Sequence, residues 1–395
     1  MLAYEFKKVF FRKLVLVIMA IFVMIDIFKI GLIYQNNFGN EVMMYNAKRT
    51  VTDQIKGEIT NEKLSFVIQK KHKLDKIIQS EVFSTEYNPN TYSGYQYGDW
   101  NIFTEIYDSL DYAYHYPNLL QNIMNKATEN ISLYPSDSYE AMLSQKILNT
   151  YQNRRISFYY DTAGYEQYFK YDFSSLLVIL LLLLILSPIF AEESELKMNL
   201  LILSSPKGKS SLIKSKLSVA VIISAIISLT FSFLDFILFF FIFRLEGANN
   251  PLYSIKSFAY TSFCGTIWQY MAISTLMKLF GSVFFAMLFI FFSSLFTSQL
   301  TAFICGGGTV FLLIVCYDFS QMQWMKQLNP FMLFTNRLLI SSFVQTNLFG
   351  IPIDTIALLL GIVLILTIVL FATIIKMQRR NRFTTTHRRK RRILA

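Results

Sequence analysis

Cysteine and histidine are nearly missing from this chain, and each shortage removes a class of chemistry. Three cysteines in 395 residues, Cys264, Cys305 and Cys316, cannot form a disulfide framework, and the stretch 35–172 has none. Three histidines, His72, His115 and His387, lie on different segments, and none stands at metal-ligand spacing from a cysteine or carboxylate, so no metal is expected. Charged residues are also scarce, at 16% against 53% hydrophobic with 38 Phe, which is too apolar for a chain that must cover its core with polar side chains in water. A secretory leader is not expected: the first apolar run carries Asp26 and Lys29 and lacks a small-residue cleavage site, so it reads as a retained anchor. Gly208-Lys209-Ser210 imitates the end of a nucleotide-binding loop, but that loop needs a glycine five residues before its lysine, and position 204 is Ser. The chain is therefore expected to bind no ATP by that route and to carry no catalytic group.

What the chain has in abundance is long apolar runs. A helix that crosses the hydrocarbon core needs about 20 mostly apolar residues, and six runs qualify: 14–34, 173–190, 217–243, 276–296, 300–317 and 353–376. The expected fold is an all-α polytopic membrane protein with six transmembrane helices and a mainly helical extracellular domain between the first and second. Segment 244–275 reads as an outer loop or interfacial helix, and 318–352 as a second outer loop.

The formal net charge of +11 has a strongly uneven distribution. Lys7, Lys8, Arg12 and Lys13 precede the first run, Lys197, Lys207, Lys209, Lys214 and Lys216 follow the second, and the tail 377–395 is arginine-rich. Basic residues in short loops mark the cytoplasmic side, so both termini and the loop 191–216 are expected in the cytoplasm of a bacterium, with the chain in its plasma membrane. The run His387-Arg388-Arg389-Lys390-Arg391-Arg392 could address nucleic acid. Directly after a span it reads instead as an attraction to anionic lipid headgroups, so membrane lipid is the expected partner and nucleic acid is not.

Segment 35–172 carries 13 basic against 17 acidic residues, a net of −4, and is long enough for one packed domain. Val51, Ile55, Ile59, Leu64, Val67, Ile68, Leu74, Ile77 and Ile78 recur near helical spacing, and helical patterns resume near 102–114 and 139–160 after a turn-rich middle. Its tyrosines suit either ligand contact or buried packing.

Charges inside apolar runs are costly and usually face a protein interior or a wet cavity. Asp26 and Lys29 share a helical face and can pair, while Asp235 has no partner nearby in sequence; all three are candidates for a polar gate or for structural contacts between spans. Gly306-Gly307-Gly308, within the fifth run, either lets helices approach closely or serves as a hinge.

The loop 191–216 resembles the first cytoplasmic loop of the permease subunits of type-2 ABC exporters. That loop runs as a Glu-rich helix, an aliphatic pair, a Pro turn, a basic residue and a closing Lys, and here Glu193 and Glu195, Ile202 and Leu203, Pro206, Lys209 and Lys216 match it without gaps. Lys197 and Met198 stand where the family usually has Gly and Thr. Segment 1–13, with Tyr4-Glu5-Phe6-Lys7-Lys8-Val9-Phe10-Phe11-Arg12, resembles the amphipathic elbow helix that these permeases lay on the inner surface. The resemblance implies an exporter of a peptide, lipid or drug-like substrate, coupled through this loop to a pair of ABC ATP-binding subunits. The ATP and Mg would then belong to that partner, with no cofactor in this chain, and a second permease copy or a sister permease would complete the assembly. A second reading is an ABC-type sensor or immunity component whose outer domain recognises an antimicrobial peptide or cell-wall precursor without moving it.

Overall fold

A computed structural model describes residues 2–38, 42–80, 86–196 and 208–393, with side chains described for all of these except 37, 38, 42, 208–210 and 379–393. The fold is all-α and polytopic: helices make up 77% of it, and among the described residues six are long and apolar enough to cross a membrane.

Helix α1 (Leu2–Phe10) has two faces, with Tyr4 open and Glu5, Val9 and Phe10 buried. Phe6 and Phe10, one turn apart, stack at 5.2 Å. After Phe11 and Arg12 the chain enters α2 (Lys13–Phe38), the first span. Only 11% of its apolar window is buried, so most of this helix presents side chains to the surrounding lipid.

The inserted domain follows. Helices α3 (Val42–Ile55), α4 (Asn61–Gln79) and α5 (Gln96–Leu133) pack around Val51, Ile55, Val67, Phe103, Ile106 and Leu110, which is the helical periodicity read in the sequence, while α6 (Tyr139–Tyr151) packs on α5 through Ile147 and Tyr151 beside Tyr116 and Leu120. Thr60 caps α4 by accepting from the Lys63 amide, and Ser138 caps α6 by accepting from the Ala141 amide. The turn-rich segment is gathered by Asp99 in the first turn of α5. Its carboxylate accepts from the Tyr92 and Ser93 amides at 2.9 and 2.7 Å and from the Ser93 hydroxyl at 2.8 Å. A two-residue pairing of β1 (Gly57–Glu58) with β2 (Phe158–Tyr159) closes the domain.

Helix α7 (Ala163–Lys170) leads into α8 (Phe173–Leu186), the most deeply buried span. Pro188 lacks an amide hydrogen and starts a separate short helix, α9 (Pro188–Glu195). Helix α10 (Gly208–Phe243) is the third span, and α11 (Ile267–Leu295), the fourth, lies at the centre of the bundle against α8, α10 and the last helix. The fourth span starts at Ile267 and not at the expected Leu276, because Thr266 and Gln269 form a capping box at its N-terminus. Within 244–275, expected as an outer loop or interfacial helix, two 3₁₀ turns, Leu252–Ser254 and Lys256–Phe258, precede α11.

The fifth span is α12 (Gln299–Phe319), followed by α13 (Gln323–Gln327), a 3₁₀ turn at Pro330–Leu333, α14 (Arg337–Ile340) and a hairpin of β3 (Gln345–Leu348) with β4 (Ile351–Asp354). The sixth span opens α15 (Thr355–Ile393). Helix α12 runs unbroken through its three glycines. A Cβ at Gly306 would meet Leu183 of α8 at 2.8 Å and Phe289 of α11 at 3.3 Å, one at Gly307 would meet Leu183 at 3.3 Å, and Gly308 faces open space. Gly306 is thus a close-packing position between three spans.

Tyrosines seat the inserted domain on the 252–264 connection. Tyr112, Tyr116 and Tyr151 donate their hydroxyls to the carbonyls of Tyr253, Ala259 and Tyr260 at 2.7–2.8 Å. Arg154 lies over the rings of Tyr151 and Tyr253, 4.8 Å from each centroid, and donates to the Thr261 carbonyl at 2.9 Å.

Candidate functional site

Two polar assemblies interrupt the apolar bundle, one at each end of the spans. The first is built on α9. Pro188 gives the chain a new helical start, and the three glutamates of Ala191-Glu192-Glu193-Ser194-Glu195 fan out from it. Glu193 turns inward: its Oε1 accepts from Lys8 Nζ of α1 at 3.1 Å, and its Oε2 meets Lys216 Nζ of α10 at 2.5 Å. Lys216 is 1% exposed, donates to the Ile189 carbonyl at 2.8 Å and sits 4.5 Å above the Phe190 ring. A buried ammonium survives only with such compensation. Glu192 Oε2 takes a 2.7 Å bond from Arg12, whose Nε also reaches the Lys8 carbonyl. Glu195, exposed, accepts from the Gln299 amide at the start of α12, and the Ser293 hydroxyl of α11 accepts from the Phe190 and Ala191 amides. The eight residues of α9 therefore tie α1, α10, α11 and α12 together.

This arrangement changes how the loop residues read. Glu193 and Lys216, expected to belong to a docking surface, are partners of each other inside the protein. The matched Ile202, Leu203 and Pro206 lie outside the described residues, and Lys209 is placed only as part of the backbone of α10. In the sequence Lys8 and Arg12 stand out only as topology-marking charges of the elbow segment, and Glu192 is no site candidate. The signal was the placement of two basic residues on the helix before the first span and two acids just after the second.

The second assembly surrounds Asp26. Asp26 and Lys29 do not pair: Lys29 is exposed, its Nζ 6.0 Å from the centroid of the Phe173 ring, while Asp26 is fully buried and accepts a 2.5 Å bond from the Tyr171 hydroxyl. Being three residues apart on a helix allows a pair, but tertiary partners decide which way each side chain turns. Asp235, 3% exposed on α10, accepts from the Ser174 hydroxyl at 2.5 Å, and its carboxyl group lies within hydrogen-bonding reach of that of Asp26. Two of the three expected intramembrane charges are thus brought together, and the third is not. Beside them lies a small polar cavity lined by Asp172, Tyr270, Lys278, Asn336 and Arg337, in which the Tyr270 hydroxyl donates to Asn336 Oδ1 at 2.9 Å. Asp172, Ser174 and Lys278 went unread as site residues, although a lysine in the fourth apolar run is the same signal that drew attention to Asp26.

Among the described residues no group of three or more His, Cys, Asp or Glu side chains could hold a metal ion. A larger cavity of about 340 Å³ opens between the inserted domain and the 341–348 segment, lined by Ile123, Tyr139, Leu143, Ile147, Tyr151, Tyr260, Phe343 and Gln345.

Six apolar helices, a charged junction that binds the first helix to the third span, and a buried polar layer define a multi-pass membrane protein. The chain belongs to the ABC-2 family of transporter proteins: the sequence model described as ABC-2 family transporter protein matches residues 1–374. No curated protein and no solved structure matches the chain. Membership makes it the membrane-spanning permease component of an ABC transporter and implies association with an ABC ATP-binding subunit.

Proposed function

We propose that this permease is the membrane half of an ATP-driven exporter, coupled through 191–216 to a pair of cytoplasmic ATP-binding subunits and completed by a second permease copy or a sister permease. Its substrate would be a peptide, lipid or drug-like molecule. Both termini face the cytoplasm of a bacterium, the inserted domain faces outward, and ATP and Mg are held by the partner subunits. The observation that carries this reading is the Lys8–Glu193–Lys216 junction. It makes α1, α9 and the start of α10 one rigid unit, so a push on the loop between α9 and α10 moves the third span instead of being absorbed at its base. Rigid-body rocking of spans then follows closure of the ATPases. Lys209, at the loop's far end, is the residue that faces the partner in this scheme.

The test is reconstitution in vesicles with the ATP-binding subunit. Lys209→Glu should leave the permease inserted and folded while abolishing ATP-dependent efflux of a labelled lipid or peptide and its stimulation of ATP hydrolysis. Normal efflux and stimulation in that variant would sink the coupling role. The 340 Å³ aromatic cavity favours the second reading, a sensor whose outer domain takes a ligand. In that case an antimicrobial peptide would stimulate ATP hydrolysis without crossing the membrane.

A further inference from the structure

We propose that Asp26 and Asp235 form a proton-binding site in the bilayer, one proton shared between two carboxyl groups, and that this proton latches the first span to the bundle. The inference is independent of what the permease moves.

The geometry carries it. Each carboxyl group has one oxygen satisfied by a hydroxyl, Asp26 Oδ1 by Tyr171 and Asp235 Oδ2 by Ser174. Asp26 Oδ2 and Asp235 Oδ1 are buried with no donor. The two groups are in hydrogen-bonding reach of each other, both are more than nine-tenths buried, and a carboxylate can only accept. A single proton between the two orphaned oxygens satisfies both at once. With no proton, two like charges would face each other in a medium that penalises even one.

Charge balance points the same way. The groups that act on the pair are Tyr171 and Ser174 at the start of α8, Tyr168 on α7 and Lys278 on α11, and Lys278 in turn shares its charge with Asp172, which Arg337 on α14 also faces. Helix α15 offers no titratable side chain from Thr355 to Ile375, α1 meets α10 at the opposite end near Lys216, and Lys29 of α2 itself is exposed. The phenols are neutral. Three carboxyl groups with one shared proton carry two negative charges, which Lys278 and Arg337 cancel; without the proton the cluster is left with an uncompensated charge away from water.

The mechanical consequence follows from the first span. Its apolar face contacts α8 and α10 but is mostly open to lipid, and Asp26 is its buried polar attachment to them. In lipid, apolar contact between helices has little driving force. Release of the proton would therefore replace an attachment by repulsion and let α2 swing away from α10.

Infrared spectroscopy of the full chain in lipid nanodiscs, scanned over pH, tests this. The wild type should show the carbonyl stretch of a protonated carboxylic acid, sensitive to deuterium exchange, that is absent in both Asp26→Asn and Asp235→Asn. Each asparagine supplies the missing donor, so both variants should unfold near the wild-type temperature, while the double variant, with its excess positive charge, should unfold earlier. Spin labels on α2 and α10 should separate over the pH range in which the band disappears. A band that survives in either single variant overturns the shared proton. So does its absence from the wild type together with stabilisation by sodium ions. Labels that hold their distance while the band vanishes overturn the latch. Should the asparagine variants fail to fold, Tyr171→Phe and Ser174→Ala delete the flanking donors and should each shift the band; a band moved by neither overturns the site.

Discussion

Replacing Lys216 by methionine isolates the Lys8–Glu193–Lys216 junction, because Met keeps the length of the stem and deletes the ammonium. The ammonium is the closest partner of Glu193 and is held by three groups, the Glu193 carboxylate, the Ile189 carbonyl and the Phe190 ring. Removing one member of a buried ion pair costs about 3–5 kcal/mol, mostly for the charge left behind. Glu193 retains Lys8 at 3.1 Å, so Lys216→Met belongs at the lower end, about 3 kcal/mol. Glu193→Met strands a fully buried ammonium with one carbonyl and one ring, so it should cost about 4–5 kcal/mol. The double variant removes both charges and leaves chiefly the Ile189 carbonyl unsatisfied, a loss of about 1–3 kcal/mol. The singles therefore add up to far more than the double, with a coupling energy of roughly 4 kcal/mol or more. Unfolding titrations with dodecyl sulfate in mixed micelles, run on the wild type and the three variants, measure each corner of that cycle. Additive single effects, or a Lys216→Met loss below about 1 kcal/mol, would refute the claim that α1, α9 and α10 are clamped through this pair.

Three other perturbations read different parts of the fold. Gly306→Leu must displace Leu183 and Phe289, and overpacking of this kind costs about 1–3 kcal/mol or more, whereas Gly308→Leu, which meets open space, should leave the unfolding temperature nearly unchanged; equal losses would disprove the packing role of Gly306. Burial, partly offset by the nearby Arg154 guanidinium, pushes the Tyr116 phenol up to about 12. A phenol raised in the folded state contributes stability that is intact below about pH 10 and is lost as pH rises through about 12. Alkaline titration followed by tyrosinate absorbance should show the inserted domain leaving the 252–264 connection across that window, and Tyr116→Phe should make the undocking less steep in pH. Asp75 has its carboxyl held below the usual range by the Trp100 indole and the Lys71 ammonium, against the opposing effect of burial, so its share of stability is present above about pH 4 and fades as acid brings the pH through its lowered folded value. Asp75→Asn should flatten acid unfolding of the α4–α5 pair, and an unchanged acid limb would rule that contribution out.

The parts of this molecule that were legible in the sequence are those governed by period and by transfer free energy. Six apolar runs became six spans, and Val51, Ile55 and Val67 fell in the core of the inserted domain, because burial of a repeating apolar face needs no knowledge of distant partners. Boundaries failed where local hydrogen bonds outrank hydropathy. The polar start of α11 at Thr266 and Gln269 looks like loop by composition and is helix by capping, while Pro188 splits an apolar helix at a point where the hydropathy hardly changes. Pairings failed for a deeper reason. Asp26 has Lys29 one turn away, yet its partners are Tyr171 and Asp235; Glu193 meets Lys8 and Lys216, which are far from it in sequence. For Asp26 the local partner Lys29 lies on an exposed face, and a charge inside an apolar bundle gains most from the partner that is itself removed from water, since interactions strengthen as the effective dielectric falls. Such partners are set by which spans touch, and span adjacency leaves no trace in linear spacing. What the sequence does offer is a count: acids and bases placed within apolar runs, or at their very edge like Lys216, must find one another or a proton, so Asp26, Asp235, Lys216 and Lys278 mark expected span contacts even before their pairing is known.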